Sequence, residues 1–465
     1  MRLLRRREPV AMTFEHSMLR TATLCLLAFG AVMVYSASSG TSLLSHTGDS
    51  SFYLKRYLVS AGIGLVALMY FSRCGLTVVR RLTPVLLVVA LVGLLAVLLP
   101  GVGISVNGAR RWVGFGTFQV QPSEIAKLAL VLYAAGLIGD KPARVRSIEG
   151  VAPLLLAGGV AALLIVAEPD LGTAIVVCMT LVAILMVSGF RVRHLMILLG
   201  GLVVLGLLAI MTSAYRRDRL TAFLDPWADP RGSGFQSVQA MIAIGSGGPF
   251  GVGLGESVQK LFYLPEAHTD MVLAVIGEEL GMVGVSVVLF LYGMIAYAGL
   301  RAARMAKDLY AKLVAAGITS VILVQATLNF FAVLGIAPLT GVPLPFISYG
   351  NSNLVVLLVG MGVLINIAQT GGAAVRRPRL EAVAGGRGGR SRPRSEDTIT
   401  IKRLGKKPKR GQGRAPARKK VAKGSSRLGV KRPARKGGDA EDLDRSRRDR
   451  RSRRARAGNR RRAAG

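Results

Sequence analysis

The sequence predicts an all-α, polytopic membrane protein with about ten transmembrane helices, both termini in the cytoplasm and a large outward loop between spans seven and eight. Of its 465 residues 51% are hydrophobic, and they are gathered in long runs. A window of about 19 residues finds ten runs long enough to cross the hydrocarbon core. Lys and Arg collect in alternate connecting loops, which independently indicates the loops that face the cytoplasm.

The first candidate span lies close to the N-terminus. The basic stretch MRLLRRREPV precedes an apolar run at 17–38 that ends in SAS at 36–38. A cleavable signal peptide has this layout, but the length of the run and the many similar runs after it favour an uncleaved span. The other candidate spans cover 54–72, 82–100, 122–139, 150–167, 170–189, 194–213, 270–300, 312–335 and 351–370.

The charges of the loops support this topology. With the N-terminus inside, the outward loops at 39–52, 168–169 and 336–350 contain no Lys or Arg. The inward loops contain Arg73, Arg80, Arg81, Lys141, Arg144, Arg146, Arg191, Arg193, Arg301, Arg304, Lys307 and Lys312. Basic residues held outside, which predict an anionic partner, are Arg110, Arg111, Arg216, Arg217, Arg219, Arg231 and Lys260.

Composition divides the chain into a basic cytoplasmic N-terminus (1–16), a membrane domain (17–371) and a basic tail (372–465). Residues 376–465 carry 34 Lys and Arg against eight Asp and Glu, which is most of the net charge of +36. The tail also has too few apolar residues to offset the entropy lost on ordering. This composition predicts a disordered cytoplasmic tail that binds anionic lipid of the inner leaflet. Nucleic acid is the less favoured partner, because the tail contains no aromatic residue to stack on bases. The three cysteines suggest neither a disulfide framework nor a zinc site.

Acidic and basic residues at the span ends are the candidates for chemistry. The stretch LPEAHTD at 264–270 leads into the eighth span and places Asp270 near the water–lipid boundary, where a carboxylate is expensive. In QPSEIAKL, Glu124 and Lys127 share one helical face. A simple ion pair that packs two spans explains them equally well. Glu168 and Asp170 fit a helix stop and an N-terminal cap as well as a site.

Glycines surround the same region. On a helix, Gly277, Gly281 and Gly284 form a stripe below Asp270 that lets a neighbouring helix approach closely. Glu278 and Glu279 point in different directions, so they cannot share one role. The glycine cluster at 245–255 lacks both GxGxxG and a Walker lysine, which argues against a nucleotide cofactor. FQSVQAMIAI within the same loop predicts a short interfacial helix.

Several long motifs resemble the SEDS proteins of bacterial cell-wall synthesis. They are MVYSASS at 33–39, NGARRWVGFGTFQVQPSEIAKL at 107–128, PDLGTA at 169–174, GSGGPFGVGLGESVQKLFYLPEAHTDMVLAVIGEELG at 245–281 and GVPLPFISYG at 341–350. They run in order over about 17–370, and the division branch matches better than the elongation branch. Tyr57, Met271, Asn351 and Asn353 depart from the family's usual residues.

The resemblance implies an inverting peptidoglycan glycosyltransferase that polymerises lipid II at the outer face of the bacterial cytoplasmic membrane during septal synthesis. A GlcNAc 4-hydroxyl attacks the anomeric carbon of the donor MurNAc, and undecaprenyl pyrophosphate leaves. Asp270 matches the family's catalytic acid and is the expected general base. Arg110, Arg111, Lys127 and Lys260 are expected to face outward and meet the pyrophosphate. The resemblance adds Gln121, His268 and Ser348 as substrate contacts, with Glu124 orienting Lys127 or joining Asp270 around a divalent cation such as Mg²⁺ or Mn²⁺.

The resemblance also implies partners and leaves rival functions open. A class B penicillin-binding protein, a transpeptidase, is the expected partner, together with other divisome proteins. A transporter of lipid II, with Glu124, Lys127 and Asp170 as its polar pathway, predicts ionisable groups through the full membrane depth. A division scaffold without activity and an elongation-type paralogue also fit the motifs.

Overall fold

The computed structural model describes residues 14–44, 48–106, 109–115, 118–261 and 263–385 and confirms a helical membrane fold. Ten of the helices in these ranges are long and apolar enough to cross a membrane, as the sequence predicts. They are α1 (Phe14–Leu44), α2 (Phe52–Arg73), α3 (Leu76–Leu98), α4 (Pro122–Asp140), α5 (Ile148–Ala167), α6 (Leu171–Ser188), α7 (Val192–Met211), α10 (Val272–Arg304), α11 (Leu309–Val333) and α12 (Asn351–Gly385). Two shorter helices, α8 (Ala214–Leu224) and α9 (Phe235–Gly247), lie between α7 and α10.

Side chains at the helix ends explain several boundaries. Asp170 caps α6 by accepting a hydrogen bond from the Thr173 amide at 3.1 Å, and Ser147 caps α5 in the same way. Asp308 accepts from Ala311 N–H at 2.7 Å and caps α11. These caps satisfy donors that the first turn of a helix leaves free.

The predicted starts of the third and eighth spans are wrong, and both differences concern charged residues. The third span begins at Leu76 instead of residue 82, so Arg80 and Arg81 belong to α3 and not to the preceding loop. Arg80 forms an ion pair with Asp140 at the end of α4, which offsets the charge that ended the apolar window. The eighth span begins at Val272, so Asp270 lies in the turn before α10 and not on the helix.

A small antiparallel sheet in the loop between α3 and α4 was not predicted. Its strands, in the order β1 (Ile104–Val106), β2 (Ala109–Phe115) and β3 (Phe118–Val120), are short. The β-branched and aromatic residues of ISV, RRWVGF and FQV are the signal that could have indicated it. One residue separates β3 from Pro122 at the start of α4, so the sheet leads directly into the polar turn of that helix.

Gly277 and Gly281 of α10 allow a close approach, but by α9 and the turn that follows it and not by a spanning helix. At Gly277 a side chain would meet Ile244 of α9. At Gly281 the helix is broken with φ of 64°, and a side chain there would overlap the backbone of Pro249 and Gly251. The short helix predicted at 235–244 is present as α9 and packs against α10, burying Val238, Ala240 and Ala243.

The two ends of the bundle differ in their polar contacts. The end that holds the N-termini of α2, α4, α6, α10 and α12, here called the site end, carries the contacts around Asp270. At the other end Arg301 pairs with Glu15 at 2.8 Å. Which end faces outward stays a prediction.

The chain ends of the domain prediction are only partly covered. Helix α12 continues to Gly385, so 372–385 is helical where the sequence predicted a disordered tail. Residues 1–13 and 386–465, which include most of the basic tail, lie outside the described residues.

Candidate active site

Asp270 lies in the turn before α10 and is half-buried. Its carboxylate accepts a hydrogen bond from the Thr269 hydroxyl at 3.2 Å. Its backbone carbonyl accepts one from the side-chain amide of Asn329 at 2.7 Å, and the same amide donates to Val342 at 2.9 Å. Asn329 of α11 therefore ties the Asp270 turn to the 336–350 loop.

The surroundings of Asp270 raise the pKa of its carboxyl group. Burial, and to a smaller extent the carboxylate of Glu266, raise the pKa of Asp270 to about 6 against the opposing effect of the Arg219 guanidinium. A pKa near 6 leaves the carboxylate ionised at neutral pH and basic enough to accept a proton.

The loop opposite Asp270 comes closest to the carboxylate at Gly341. Gly341 has φ of 68°, and a Cβ at this position would lie 3.8 Å from Asp270 Oδ2, an ordinary van der Waals contact. The left-handed backbone, and not the approach, is therefore what favours glycine here. The neighbouring Thr340 and Val342 pack on Gly172 in the first turn of α6. The 336–350 loop thus joins the Asp270 turn to the start of α6.

Arg219 on α8 is a basic residue beside Asp270 that the sequence did not single out. It is half-buried, and its Nη1 donates to the Leu339 carbonyl at 3.0 Å. Its neighbours cap helix ends instead, since Arg216 donates to Val166 and Ala209 carbonyls at 2.7 and 2.9 Å, and Arg217 donates to Met211. Nothing in the spelling RRDRL distinguishes these three roles.

His268 holds the LPEAHTD turn through aromatic contacts. Its ring lies 4.1 Å from that of Tyr53 and 5.7 Å from that of Tyr349, measured between centroids. Its carbonyl accepts a hydrogen bond from the Tyr349 amide at 2.9 Å. Burial lowers the pKa of His268, so the ring is neutral at pH 7 and contributes contact surface instead of positive charge.

Ser348 and Tyr57 stabilise the turn PLPFIS in the 336–350 loop. The Ser348 hydroxyl is buried and accepts a hydrogen bond from Leu344 N–H at 2.8 Å. Tyr57, one of the departures from the family, donates to the carbonyl of Phe346 at 2.6 Å and approaches that of Leu27 at 3.1 Å. Phe346 has φ of 66°, so these contacts hold a strained residue.

Glu124 and Lys127 form a salt bridge of 2.7 Å in the first two turns of α4, with side chains 3% and 2% exposed. Apart from each other, Lys127 Nζ and Glu124 Oε2 have no hydrogen-bond partner in the part of the chain that the structure describes. A cavity of about 10 Å³, roughly enough for one water molecule, lies beside the pair. It is lined by Glu124, Lys127, Leu128, Ile318, Val321, Val356, Leu357 and Gly360.

Gln121 connects this pair to its surroundings. Its side chain donates to Asp170 Oδ2 at 3.2 Å, and its backbone amide donates to the Ser352 hydroxyl at 3.1 Å. Gln121 therefore holds the starts of α4, α6 and α12 together next to Glu124.

The two arginines of β2 have different surroundings. Arg110 is exposed and available to a ligand. Arg111 is half-buried and donates to the carbonyls of Glu168, at 3.2 Å, and Pro169. The Glu168 carboxyl is fully buried without a hydrogen-bond partner among the described residues, and burial raises the pKa of Glu168 to about 8.

Lys260 does not occupy the outward-facing position that the sequence predicted. It is 6% exposed and forms a salt bridge of 2.7 Å with Glu279. The outward loop folds back onto α10, and the apolar environment favours burial of the lysine only together with an opposite charge. A prediction of exposure from loop position alone cannot see this pairing.

A metal site made only of protein ligands is not present in the described ranges, where no three His, Cys, Asp or Glu residues lie close enough to hold an ion. Glu124 is also engaged by Lys127. Mg²⁺ commonly takes one or two carboxylates and completes its shell with substrate phosphates and water, so Asp270 together with a pyrophosphate fits such an ion.

Comparison with known proteins places these features in context. A family profile described as Cell cycle protein, which covers FtsW, RodA and SpoVE, matches residues 16–371. Stage V sporulation protein E of Bacillus subtilis is 42% identical over 349 residues, 75% of this chain and 95% of that protein. The probable peptidoglycan glycosyltransferase FtsW of Thioalkalivibrio sulfidiphilus is 41% identical over 379 residues, 80% of this chain and 93% of that protein.

Solved structures give the same result. A chain of a peptidoglycan synthase complex that coordinates polymerization and crosslinking is similar with a TM-score of 0.63 and 31% identity, over 76% of this chain and 97% of that chain. The rod shape determining protein RodA of Thermus thermophilus is similar with a TM-score of 0.56 and 29% identity, over 75% of this chain and 95% of that chain.

Proposed function

Because this chain belongs to the FtsW, RodA and SpoVE family of cell cycle proteins, we infer that it is a multi-pass membrane peptidoglycan glycosyltransferase, the activity for which its FtsW relatives are named. The resemblance to SEDS proteins is thus confirmed. The relatives are matched over more than nine-tenths of their length.

We propose that Asp270 is the general base. The carboxylate removes the proton of the acceptor GlcNAc 4-hydroxyl while that oxygen attacks the anomeric carbon of the donor MurNAc. The bond from this carbon to the pyrophosphate breaks, the configuration inverts and undecaprenyl pyrophosphate leaves. The observation that carries the proposal is a half-buried carboxylate with a pKa of about 6 facing a glycine-lined turn.

The residues proposed to supply positive charge to the leaving pyrophosphate differ from those expected from the sequence. Arg219 is favoured because its charge acts on Asp270. Lys127 is favoured because its ammonium has no partner besides Glu124 among the described residues. Arg110 is exposed and remains a candidate, whereas Lys260 is set aside because its ammonium already has three acceptors. Gln121, Glu124, His268 and Ser348 support the proposed site through the contacts described above.

The proposed site for a divalent cation uses Asp270 and does not use Glu124. Bound by Asp270 and pyrophosphate oxygens, Mg²⁺ or Mn²⁺ would neutralise charge on the leaving group. The activity is then expected to fall on chelation with EDTA and to return with added Mg²⁺ or Mn²⁺. Activity unchanged by EDTA would leave Arg219 and Lys127 as the source of positive charge.

The cellular setting is also a proposal. We propose that the site end faces outward, that the protein acts at the division septum, and that a class B penicillin-binding protein and other divisome proteins are its partners. The structural similarity to a synthase complex that couples polymerization to crosslinking supports the transpeptidase partner. The names of the relatives, at about 40% identity, favour division over elongation. We also propose that the basic tail binds anionic lipid of the inner leaflet.

A lipid II transporter is less well supported. That hypothesis needs ionisable groups through the depth of the membrane, and the deeper acids are Glu278 and Glu279. Both are engaged by hydrogen bonds from residues 257–260, so they do not offer a polar pathway.

The test is polymerisation of lipid II in liposomes by the purified protein, alone and with its transpeptidase. We expect glycan strands from the wild type, and from an Arg219→Met variant a rate roughly 100-fold lower. Passage of lipid II across the bilayer with no strands under any condition would contradict the enzyme and favour the transporter.

A further inference from the structure

Two adjacent glutamates of α10 hold the same short segment of the preceding loop, residues 255–260. This segment runs from Gly255 to Lys260 and comes immediately before the turn that carries Asp270. Glu278 and Glu279 are 3% and 0% exposed, so neither carboxylate is available to a ligand.

The contacts of Lys260 use its ammonium completely. Nζ donates to Glu279 Oε1 at 2.7 Å, to Ser36 Oγ at 3.1 Å and to the Gly255 carbonyl at 2.6 Å. A lysine ammonium has three protons, and each has an acceptor here. Lys260 therefore has no donor left for a pyrophosphate.

Ser36 extends the cluster to a third element. Its hydroxyl lies 2.6 and 2.8 Å from the two carboxylate oxygens of Glu279 and donates to this carboxylate. Ser36 belongs to the YSASS stretch of α1, so the cluster joins α1, α10 and the 255–260 segment. A buried ion pair with all of its hydrogen bonds made is stable only in one arrangement of these three elements.

Glu278 fixes the same segment from its other side. Its carboxylate accepts hydrogen bonds from the Ser257 hydroxyl at 2.5 Å and from Val258 N–H at 3.0 Å. The backbone carbonyls of Glu278 and Glu279 accept from Val252 and Gly253 N–H at 2.9 and 3.1 Å. Both side chains and both carbonyls of this acidic pair thus face the loop.

We propose that the cluster of Lys260, Glu279 and Ser36 is a positioning device that sets the Asp270 turn in register with α1 and α10, and that Lys260 acts through this cluster and not through the substrate. The proposal rests on the proposed function, because it concerns the alignment of the general base. Leu264 N–H donates to the Gln259 carbonyl at 2.8 Å, which carries the fixed position into LPEAHTD.

The test compares Lys260→Met and Glu279→Met with the double variant in purified protein. Each single change leaves one buried charge without its partner, whereas the double change leaves an apolar pair, which buried sites tolerate. We expect each single variant to lower kcat for lipid II polymerisation roughly 10- to 100-fold with KM within about twofold of wild type. The double variant should recover most of kcat and of the melting temperature.

Lys55→Met is the matched control. Lys55 forms a salt bridge with Asp49 of the same length, 2.7 Å, but its side chain is 67% exposed. It should keep the wild-type rate and melting temperature, since exposed pairs contribute little.

A double variant that melts like the wild type and is as inactive as Lys260→Met would show that Lys260 acts on the substrate, and would overturn the proposal. Single variants with full kcat would overturn it as well. If Lys260→Met does not accumulate in the membrane, accumulation and activity of the double variant support the proposal, and failure of the double variant to accumulate opposes it. If the wild type itself shows no polymerisation, that result opposes the proposed function, and the melting temperatures of the variants still test the cluster.

Discussion

Two buried Lys–Glu pairs at the site end have the same length and different surroundings. Lys127 and Glu124 are 2.7 Å apart within α4, and Lys260 and Glu279 are 2.7 Å apart between a loop and α10. Lys260 has acceptors for all three protons, whereas Lys127 has only Glu124 among the described residues. A cavity of about 10 Å³ borders Lys127 and Glu124.

The difference separates a structural pair from a functional one. A buried polar group that lacks partners costs on the order of 1 to 3 kcal/mol, so proteins seldom retain it without a use. We propose that the complete pair acts only within the fold and that the incomplete pair keeps hydrogen-bonding capacity for a ligand.

A large effect on the rate is expected when the incomplete Lys127–Glu124 pair is replaced. Lys127→Met combined with Glu124→Leu leaves no unpaired charge, yet it should lower lipid II polymerisation roughly 100-fold, because the lost ammonium would contact substrate. The Lys260→Met and Glu279→Met double variant is the control and should stay active. Full activity after replacement of the Lys127 pair would make both pairs structural.

Substitution of Asp270 and substitution of Lys260 should change the melting temperature in opposite directions. The pKa of Asp270 is raised to about 6 from an ordinary value near 3.8, so ionisation destabilises the folded protein. This penalty is absent below pH 4 and complete above about pH 6. Asp270→Asn should therefore melt higher than wild type at pH 8, with the difference vanishing below pH 4, whereas Lys260→Met should melt lower. A lower melting temperature for Asp270→Asn at pH 8 would assign Asp270 a structural role.

A smaller effect is expected from Glu266, whose carboxylate raises the pKa of Asp270. Glu266→Gln removes this negative charge, so the Asp270 pKa should fall and the acidic limb of the pH–rate profile should move to lower pH. The shift is expected to be roughly half a unit, because Glu266 is exposed and screened. An unmoved or upward-moving limb would contradict the assignment of that limb to Asp270.

The smallest effect is expected at Tyr57. Tyr57→Phe leaves the Phe346 carbonyl without its donor and should cost about 1 kcal/mol of stability, seen as a melting temperature lower by a degree or two. The rate of polymerisation should change less than about twofold. A large loss of activity would mean that the PLPFIS turn acts on the substrate.

Sequence patterns predicted what depends on local order. Ten apolar runs and their loop charges predicted the ten spans, and Asp270 followed from a polar turn at the start of one of them. The resemblance to SEDS proteins assigned this acid its role, and the comparisons confirmed the family.

Apart from the Glu124–Lys127 pair, the partners of the charges could not be predicted, because they are distant in the chain. Glu279 and Ser36 are 243 positions apart, so no local pattern indicated that Lys260 would be drawn inward. Arg219 was one basic residue among several until the fold placed it beside Asp270 and placed Arg216 and Arg217 at helix ends. Tertiary contacts decide which charges remain available for chemistry.

The most direct test of the account is the rate of lipid II polymerisation between pH 5 and pH 9 for wild type and Asp270→Asn. The account predicts that the wild-type rate falls below about pH 6 as Asp270 takes up a proton. The folded Asp270→Asn variant should be slower by roughly 100- to 10,000-fold at every pH and lack this limb. A well-folded Asp270→Asn that keeps the rate and the limb near pH 6 would contradict the role of Asp270 as the general base.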